Sequence, residues 1–176
     1  MILNVRIRRW LTMVYSDIDG VLRDLLGSAA IRTTTWDCSI DPEKFSFIQF
    51  FNKHPVLLVT AQPTKYFDVI AMYHKYIEPI EIISNQVEEW IGRTEFWLHK
   101  NFSPYTRVPT VHYTVDKLRF LKPHDTLIED NPNLTDYTNV IVIDTSYNRG
   151  IELPHIRVET PKQLLNVLIR RKYGFT

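Results

Sequence analysis

The chain has 176 residues, a length at which one compact domain can bury most of the surface of its unfolded chain. Hydrophobic residues make up 44% and charged residues 23% of the sequence, and this composition excludes an intrinsically disordered chain. The formal net charge of +1 excludes an overall attraction to nucleic acid, and the single cysteine, Cys38, excludes an intrachain disulfide and a thiolate zinc site.

The N-terminal stretch mixes arginines with apolar residues, so no segment there has the apolar length of a signal peptide or a membrane span. We therefore expect a cytoplasmic protein with no membrane partner, folded as a single domain over residues 1–176. Residues 1–12 are interpreted either as an additional edge strand or as an N-terminal extension. The first apolar run, Leu11 to Ser16, predicts a strand with Asp17 at its carboxyl end.

The next part of the chain contains a helix start and a second apolar run. Asp41 as N-cap and Pro42 at the first helical position predict the beginning of a helix. The run Val56 to Val59 predicts a second strand, which ends at Thr60. Residues 24–40 lie between the first strand and the helix, and they are interpreted as a short cap-like segment.

The remainder of the chain alternates helical periodicity with short apolar runs. In chain order the pattern predicts helices over Tyr66 to Tyr76 and Val87 to Asn101, a strand over Val108 to Tyr113, a helix over Val115 to Leu121, strands over Thr126 to Ile128 and Val140 to Ile143, and a C-terminal helix. Thr160 and Gln163 predict a capping box for that last helix, with Pro161 at its first position. The alternation predicts an α/β fold, a three-layer α/β/α sandwich around a parallel sheet.

Polar residues that follow the predicted strands indicate where a ligand-binding site lies, because ligands of open parallel sheets bind beyond the carboxyl ends of the strands. The residues collected in this way are Asp17, Asp19, Thr60, Lys117, Glu129 and Asp130. Several carboxylates at one sheet edge repel one another unless a divalent cation neutralises them, and ligation by oxygen alone suits magnesium. A lysine and a hydroxyl beside that cation are suited to hold a phosphate group.

Four motifs in this order resemble those of the haloacid-dehalogenase-like phosphatases: DIDGV, LLVT, a downstream lysine and LIEDNP. Within that superfamily the sequence is most similar to the 5'(3')-deoxyribonucleotidases and their phage and bacterial relatives. DIDGVLRD resembles their opening motif and TAQP resembles their Thr-Ser-Pro segment, while EFWLHKNF and VHYTVDK are similar to their aromatic helix and lysine segment. The resemblance covers roughly Val14 to Asn133.

The resemblance implies a role for each acidic residue. Asp17 is expected to be the nucleophile that forms an aspartyl-phosphate, and Asp19 the general acid that protonates the leaving oxygen and then activates water. Magnesium is expected to be bound by the Asp17 carboxylate, the main-chain carbonyl of Asp19 and Asp130. Glu129 is expected to orient a water molecule on that magnesium ion.

The resemblance also implies that Thr60 and Lys117 bind phosphate oxygens, and that Gly20 permits the tight turn after the nucleophile. The sequence differs from the family in two places. The segment 24–40 is too short for the family's large helical cap, and Thr94 stands near the point where the family has a lysine.

Three functions follow as alternatives. The first is a phosphomonoesterase acting on a small substrate, a deoxyribonucleoside monophosphate. The second acts on the phosphorylated end of a polynucleotide or on another macromolecule, because a small cap leaves a site open. The third is a phosphatase fold kept for binding without turnover. The sequence gives no indication of the oligomeric state.

The aromatic residues have two interpretations. Aromatic side chains at helical spacing predict core packing for Phe45, Trp90, Phe96 and Trp97. Trp36 lies in the cap-like segment instead, where stacking on a substrate base is the alternative to a structural role.

Overall fold

The computed structural model describes residues 12–28, 47–134 and 137–174. These ranges contain eight strands and seven helices. In chain order they are β1 (Val14–Ser16), β2 (Arg23–Asp24), α1 (Leu25–Ser28), α2 (Phe47–Lys53), α3 (Leu57–Thr60), β3 (Gln62–Pro63), α4 (Phe67–Tyr76), β4 (Ile80–Ser84), α5 (Glu88–Phe102), β5 (Val111–Tyr113), α6 (Lys117–Phe120), β6 (Thr126–Glu129), β7 (Val140–Ile143), β8 (Ile156–Val158) and α7 (Pro161–Tyr173).

Six of the strands form one sheet in the order β5-β4-β1-β6-β7-β8, and every neighbouring pair in it is parallel. Strand β1 lies inside the sheet between β4 and β6, where Ser16 is paired with Ile82 on one side and Ile128 on the other. Because the strands are parallel, their carboxyl ends meet at one edge of the sheet. The segment that follows β1 therefore lies between the ends of β4 and β6.

Helices cover both faces of this sheet. Successive strand residues point to opposite faces, so that Val14 belongs to a core formed with α4, α5 and α7, while Tyr15 belongs to a second core. The first core includes Trp97 of α5 and Leu164 of α7, and the second includes Leu121 just after α6. The predicted three-layer α/β/α fold is confirmed.

The two longest helices show why these segments are helical. In α5 the buried residues recur at helical spacing, and Trp97 is fully buried with its indole nitrogen donating to the Ala61 carbonyl at 2.7 Å. Helix α7 begins with the predicted capping box, in which Thr160 Oγ1 accepts from the Gln163 amide and the Gln163 side chain accepts from the Thr160 amide. Removing the Trp97 side chain would cost roughly 3–5 kcal/mol of folding free energy.

Helices α1 to α3 lie between the two strands of a small antiparallel pair, β2 and β3. They contribute to a core of their own, separate from the two cores of the sheet. Phe51 of α2 and Leu58 of α3 belong to that core, together with Trp90 from the first turn of α5. The Phe51 and Trp90 rings meet edge to face at 5.8 Å. Helices α2 and α3 are therefore anchored on α5.

The prediction of the sheet was wrong at one run and missed two strands, β4 and β8. The run Val56 to Val59, predicted as a strand, lies in and beside helix α3. The place next to β1 is taken by β4, Ile80–Ser84, which the sequence analysis did not recognise as a strand. A run of four apolar residues has the same pattern in a buried helix turn as in a buried strand, so periodicity alone cannot separate the two.

Other predicted segments fall on residues that the structure does not describe. The helix start at Asp41 and Pro42, the base-stacking alternative for Trp36, and most of the segments 1–12 and 24–40 lie outside the described ranges. Among the helices that are described, none has the length and apolar character needed to cross a bilayer.

Candidate active site

The loop after β1 brings Asp17 to the carboxyl edge of the sheet. The Asp17 amide continues the pairing with β6 by donating to the Ile128 carbonyl at 2.9 Å, and the residue is only 7% exposed. Gly20 then turns the chain with φ 85°, a conformation that L side chains avoid. A Cβ atom at this position would lie 1.8 Å from Asp130 Oδ2 and 2.8 Å from the Tyr147 hydroxyl oxygen. Only glycine therefore fits at this position, where the loop after β1 packs against Asp130 and Tyr147.

Four charged groups meet at this edge. One carboxylate oxygen from each of Asp17, Glu129 and Asp130 lies within 4.8 Å of the other two, and all three residues are buried. Lys117, at the start of α6, places its Nζ 2.8 Å from Asp17 Oδ1 and 2.7 Å from Glu129 Oε2. The structure therefore brings together four of the residues that the sequence analysis selected.

The electrostatics of this group favour an additional positive charge. Burial, with the charge of Glu129 as the next cause, raises the pKa of Asp17 to about 7, and Lys117 only partly offsets this. The pKa of Asp130 is raised well above its usual value, first by burial and then by its acidic neighbours. Burial also acts on Glu129, but Lys117 and hydrogen bonds from Asp130 and Asn131 outweigh it and lower that pKa.

The same residues fit a divalent cation. Asp130 Oδ1 is a buried oxygen with no hydrogen-bond partner, and Asp17 Oδ1 has only the Lys117 ammonium beside it, at 2.8 Å. Buried carboxylate oxygens without donors are costly unless a cation compensates them. Oxygen ligands of this kind suit Mg²⁺.

Asp130 is also fixed through its main chain, by a residue that the sequence analysis did not consider. Asn148 is fully buried, and its Nδ2 donates to the carbonyls of Asp130 and Ile143, each at 2.8 Å. Its Oδ1 accepts from the Thr145 amide and from Arg157. This single amide ties the loop after β6 to the loop after β7. No motif in the sequence points to it, because its link to Asp130 spans 18 positions of the chain.

Asp19 lies beside this group, where its side chain is 28% exposed. Its carboxylate accepts hydrogen bonds from Arg23 and from Gln86. Arg23 comes from the β2 strand just after the Gly20 turn, and Gln86 comes from the loop that joins β4 to α5. The two acidic residues of the DIDGV motif therefore have different surroundings, since Asp17 is buried among other carboxylates and Asp19 faces two donors.

Thr60 was selected because its segment was predicted to be a strand, and that basis is wrong. Thr60 is exposed at the end of α3, and its hydroxyl donates to the Val56 carbonyl of the same helix at 2.9 Å. The hydroxyl residue that ends the strand next to β1 is Ser84, which is 2% exposed. The isoleucines of the segment IEIIS were the signal that could have identified this strand.

The predictions for the aromatic side chains gave mixed results. Trp90 and Trp97 are buried as predicted. Phe96 is 60% exposed, so its assignment to the core was wrong. It lies on the side of α5 opposite the sheet, next to the buried Trp97. Phe45 lies outside the described residues.

Comparisons with known proteins agree with this architecture. Neither protein-family models nor curated proteins gave a match. Among solved structures, D,D-heptose 1,7-bisphosphate phosphatase from Burkholderia thailandensis is similar with a TM-score of 0.56 and 7% identity, covering 90% of this chain and 98% of its own. A HAD family hydrolase from Deinococcus radiodurans R1, solved with bound phosphate and sodium, has a TM-score of 0.52 and 12% identity over 92% of this chain and 96% of its own.

A haloacid dehalogenase-like protein of unknown function from Agrobacterium tumefaciens is similar in the same way. Its TM-score is 0.53 with 15% identity, and the match covers 89% of this chain and 97% of that one. Likeness at such low identity concerns the backbone. These comparisons show that the chain has the fold of the haloacid-dehalogenase-like hydrolases.

Proposed function

We propose that the protein is a magnesium-dependent phosphomonoesterase that works through an aspartyl-phosphate on Asp17. The observation that carries this proposal is the position of Asp17, buried at the end of the inner strand β1 in contact with Lys117 and beside Glu129 and Asp130. A nucleophilic carboxylate flanked by one fixed cation and by ligands for a second suits the transfer of a charged phosphoryl group. The fold is also that of a known phosphatase.

The first half-reaction transfers the phosphoryl group to the protein. An oxygen of the Asp17 carboxylate attacks phosphorus, and the bond from phosphorus to the ester oxygen breaks with its electron pair going to that oxygen. Asp19 donates a proton to the leaving oxygen, so that a neutral alcohol departs. Lys117, which touches Asp17 Oδ1, stabilises the negative charge of the transferring group.

The second half-reaction returns the protein to its starting state. Water attacks the phosphorus of the aspartyl-phosphate and gives a proton to Asp19, while the bond from phosphorus to Asp17 breaks and restores the carboxylate. The proton that Asp19 lost in the first step is thereby regained, and inorganic phosphate leaves. A positioned acid or base of this kind contributes roughly 10²–10⁴-fold to rate.

Mg²⁺ is proposed to bind to the Asp17 and Asp130 carboxylates and the Asp19 main-chain carbonyl, with Glu129 holding one of its water ligands. When bound, it supplies positive charge that neutralises the carboxylates and the phosphate oxygens. The support for this assignment is the convergence of three buried carboxylates within 4.8 Å, one of which, Asp130, has an oxygen without a hydrogen-bond partner.

Phosphate oxygens are proposed to be held by Lys117 and by Ser84, which replaces Thr60 in this role. Ser84 ends β4, the strand paired with β1, and its Oγ lies 3.5 Å from Gln86 Nε2, which in turn contacts Asp19. The Ser84 side chain is thus linked to Asp19 through Gln86. Thr60 is exposed on α3 and engaged with its own helix.

The proposed substrate is a deoxyribonucleoside monophosphate. Its support is the run of segments from EFWLHKNF through VHYTVDK to LIEDNP, which resembles the deoxyribonucleotidases. The buried Trp97 and Phe102 of that run pack in the sheet core, so they hold α5 in place and do not stack on a base. Contacts to the base would come from other residues at the mouth of the site.

The test is phosphate release from deoxyribonucleoside and ribonucleoside monophosphates and from a 5'-phosphorylated oligonucleotide, each with and without Mg²⁺. We expect Mg²⁺-dependent release from the mononucleotides, and none from Asp17→Asn. Glu152→Gln, at an exposed loop position, is the matched control for loss of one carboxylate. No release from any substrate by the folded, Mg²⁺-loaded protein would overturn the proposed function, and preference for the oligonucleotide would overturn only the substrate.

A further inference from the structure

The Asp19 carboxylate is held from two directions. Arg23 donates from Nε to Oδ1 at 2.6 Å and from Nη2 to Oδ2 at 3.0 Å. Gln86 Nε2 donates to Oδ2 at 2.6 Å. Three N–H donors that converge on one carboxylate, two of them from a bidentate guanidinium, fix the plane of that group as well as its position.

The Arg23 side chain is itself immobilised. It is fully buried, its Nη1 donates to the Leu58 carbonyl of α3 at 2.8 Å, and the guanidinium lies 5.7 Å from the Trp97 ring centroid. A shift of the side chain would leave buried donors and acceptors without partners, which is costly. Arg23 therefore holds two N–H donors in fixed positions toward Asp19, and it connects Asp19 to helix α3.

The Gln86 amide is held at its other end by a third residue. Thr94 on α5 is fully buried, and its Oγ1 donates to Gln86 Oε1 at 2.9 Å. Because the Asp19 carboxylate can only accept, the amide directs its nitrogen to Asp19 and its oxygen to the Thr94 hydroxyl. The opposite orientation would place the amide oxygen against a carboxylate oxygen, with no hydrogen between the two acceptors. Thr94 thus acts on Asp19 only through Gln86.

We propose that Arg23, Gln86 and Thr94 are positioning residues, which form a clamp that fixes the Asp19 carboxylate for proton transfer. The proposal rests on the proposed phosphatase function, in which Asp19 moves the protons of the leaving oxygen and of water. Small misplacements of a reacting group reduce rates by up to about 100-fold. Lys117 contacts Asp17 and Glu129 rather than the clamp, and Ser84 meets Gln86 only at 3.5 Å, so loosening the clamp slows mainly the proton-dependent steps.

The clamp is tested at Gln86 and Thr94. Arg23 is not used, because replacing a fully buried arginine tests folding more than positioning. Gln86→Met removes the donor with little change in length, and Thr94→Val removes the hydroxyl with little change in shape. The measurement is the single-turnover rate of aspartyl-phosphate formation from a deoxyribonucleoside monophosphate and from p-nitrophenyl phosphate, whose leaving group needs no proton.

For both variants we expect the rate with the nucleotide to fall by about 10-fold or more, as part of the roughly 10²–10⁴-fold that a positioned acid contributes. The rate with p-nitrophenyl phosphate should change less than about 2-fold, since that step needs no proton from Asp19. The double variant should be no slower than the slower single variant, because Thr94 acts through Gln86. Thr94→Ser, which keeps the hydroxyl, should restore the rate with the nucleotide.

Two further measurements separate positioning from general damage. Mg²⁺ affinity by calorimetry and the thermal midpoint are measured for every variant, and Lys100→Gln on the exposed side of α5 is the control. Equal slowing with both substrates, or additive losses in the double variant, would overturn the clamp. If Thr94→Val fails to fold, the half-buried Gln86→Met carries the same comparison.

The clamp and the proposed function fail in different ways. Wild-type protein that turns over both substrates, together with variants that match it on both, would overturn the clamp alone. Wild-type protein that forms no aspartyl-phosphate from either substrate would overturn the proposed function and, with it, the catalytic role of the clamp.

Discussion

Asp17→Asn should make the metal-free protein more stable, and the gain should grow with pH. The pKa of this carboxyl is raised from 3.8 to about 7, with burial as the largest cause. The folded protein therefore binds a proton at Asp17 more tightly than the unfolded chain does. Stability from this group is present at low pH and is lost as the pH rises from about 4 to about 7.

The size of the effect follows from the shift. One unit of pKa corresponds to about 1.4 kcal/mol, so ionising Asp17 costs roughly 4 kcal/mol of unfolding free energy at pH 8 and less than half of that at pH 5. Asparagine has nearly the same size and carries no charge at either pH. The variant should therefore exceed the wild type by a few kcal/mol at pH 8 in the presence of a chelator.

The assay is urea unfolding of the wild type, Asp17→Asn and the exposed control Glu152→Gln at pH 5 and pH 8, without metal. Adding Mg²⁺ at 100 times its dissociation constant should then stabilise the wild type by about 2.7 kcal/mol at pH 8. It should stabilise Asp17→Asn much less. The same pH dependence in the wild type and in Asp17→Asn would refute the argument, because the buried charge of Asp17 would then not be the source.

Three further predictions concern single residues. Ser84→Ala should lower kcat/KM for the phosphate ester roughly 10- to 100-fold, because it removes one hydrogen bond to a charged group. Thr60→Ala should have the kcat/KM of the wild type. The reverse result would contradict the roles given to these two residues. Asp19→Asn should slow aspartyl-phosphate formation from a nucleotide by roughly 10²–10⁴-fold, but much less from p-nitrophenyl phosphate. Its Mg²⁺ affinity should equal that of the wild type. A loss of Mg²⁺ binding in calorimetry would mean that the Asp19 side chain belongs to the metal site. Gly20→Ala should lower the free energy of unfolding by roughly 1–2 kcal/mol because of the positive φ alone. The collision of the new Cβ atom with Asp130 should lower it further. An unfolding midpoint equal to that of the wild type would contradict the tight loop.

Much of the sheet could be predicted from local patterns. Runs such as Val140–Ile143 are short, apolar and β-branched, and the observed strand has the predicted bounds. The capping box of α7 was also predicted residue by residue, since Thr160 and Gln163 satisfy backbone groups of their own helix turn. Features of this kind depend on residues only a few positions apart, so the sequence contains the information directly.

The acidic part of the site could be predicted for a related reason. Asp17 follows β1, and Glu129 and Asp130 lie at the end of β6, so any parallel sheet with these strands as neighbours brings the carboxylates together. Lys117 was identified from its motif, and the structure places it against two of them. The positions of the carboxylates at strand ends were enough to locate the acidic residues Asp17, Glu129 and Asp130.

What only the tertiary structure decided is which strand lies next to β1 and what surrounds Asp19. The segments LLVT and IEIIS are both short and apolar, and only pairing with β1 shows that the second, ending at Ser84, is the strand. Gln86 meets Asp19 across 67 positions of the sequence, and Arg23 reaches the Leu58 carbonyl across 35. Short apolar runs do not distinguish a buried helix turn from a buried strand, and the strand pairing and these contacts both depend on packing between residues that are distant in the sequence.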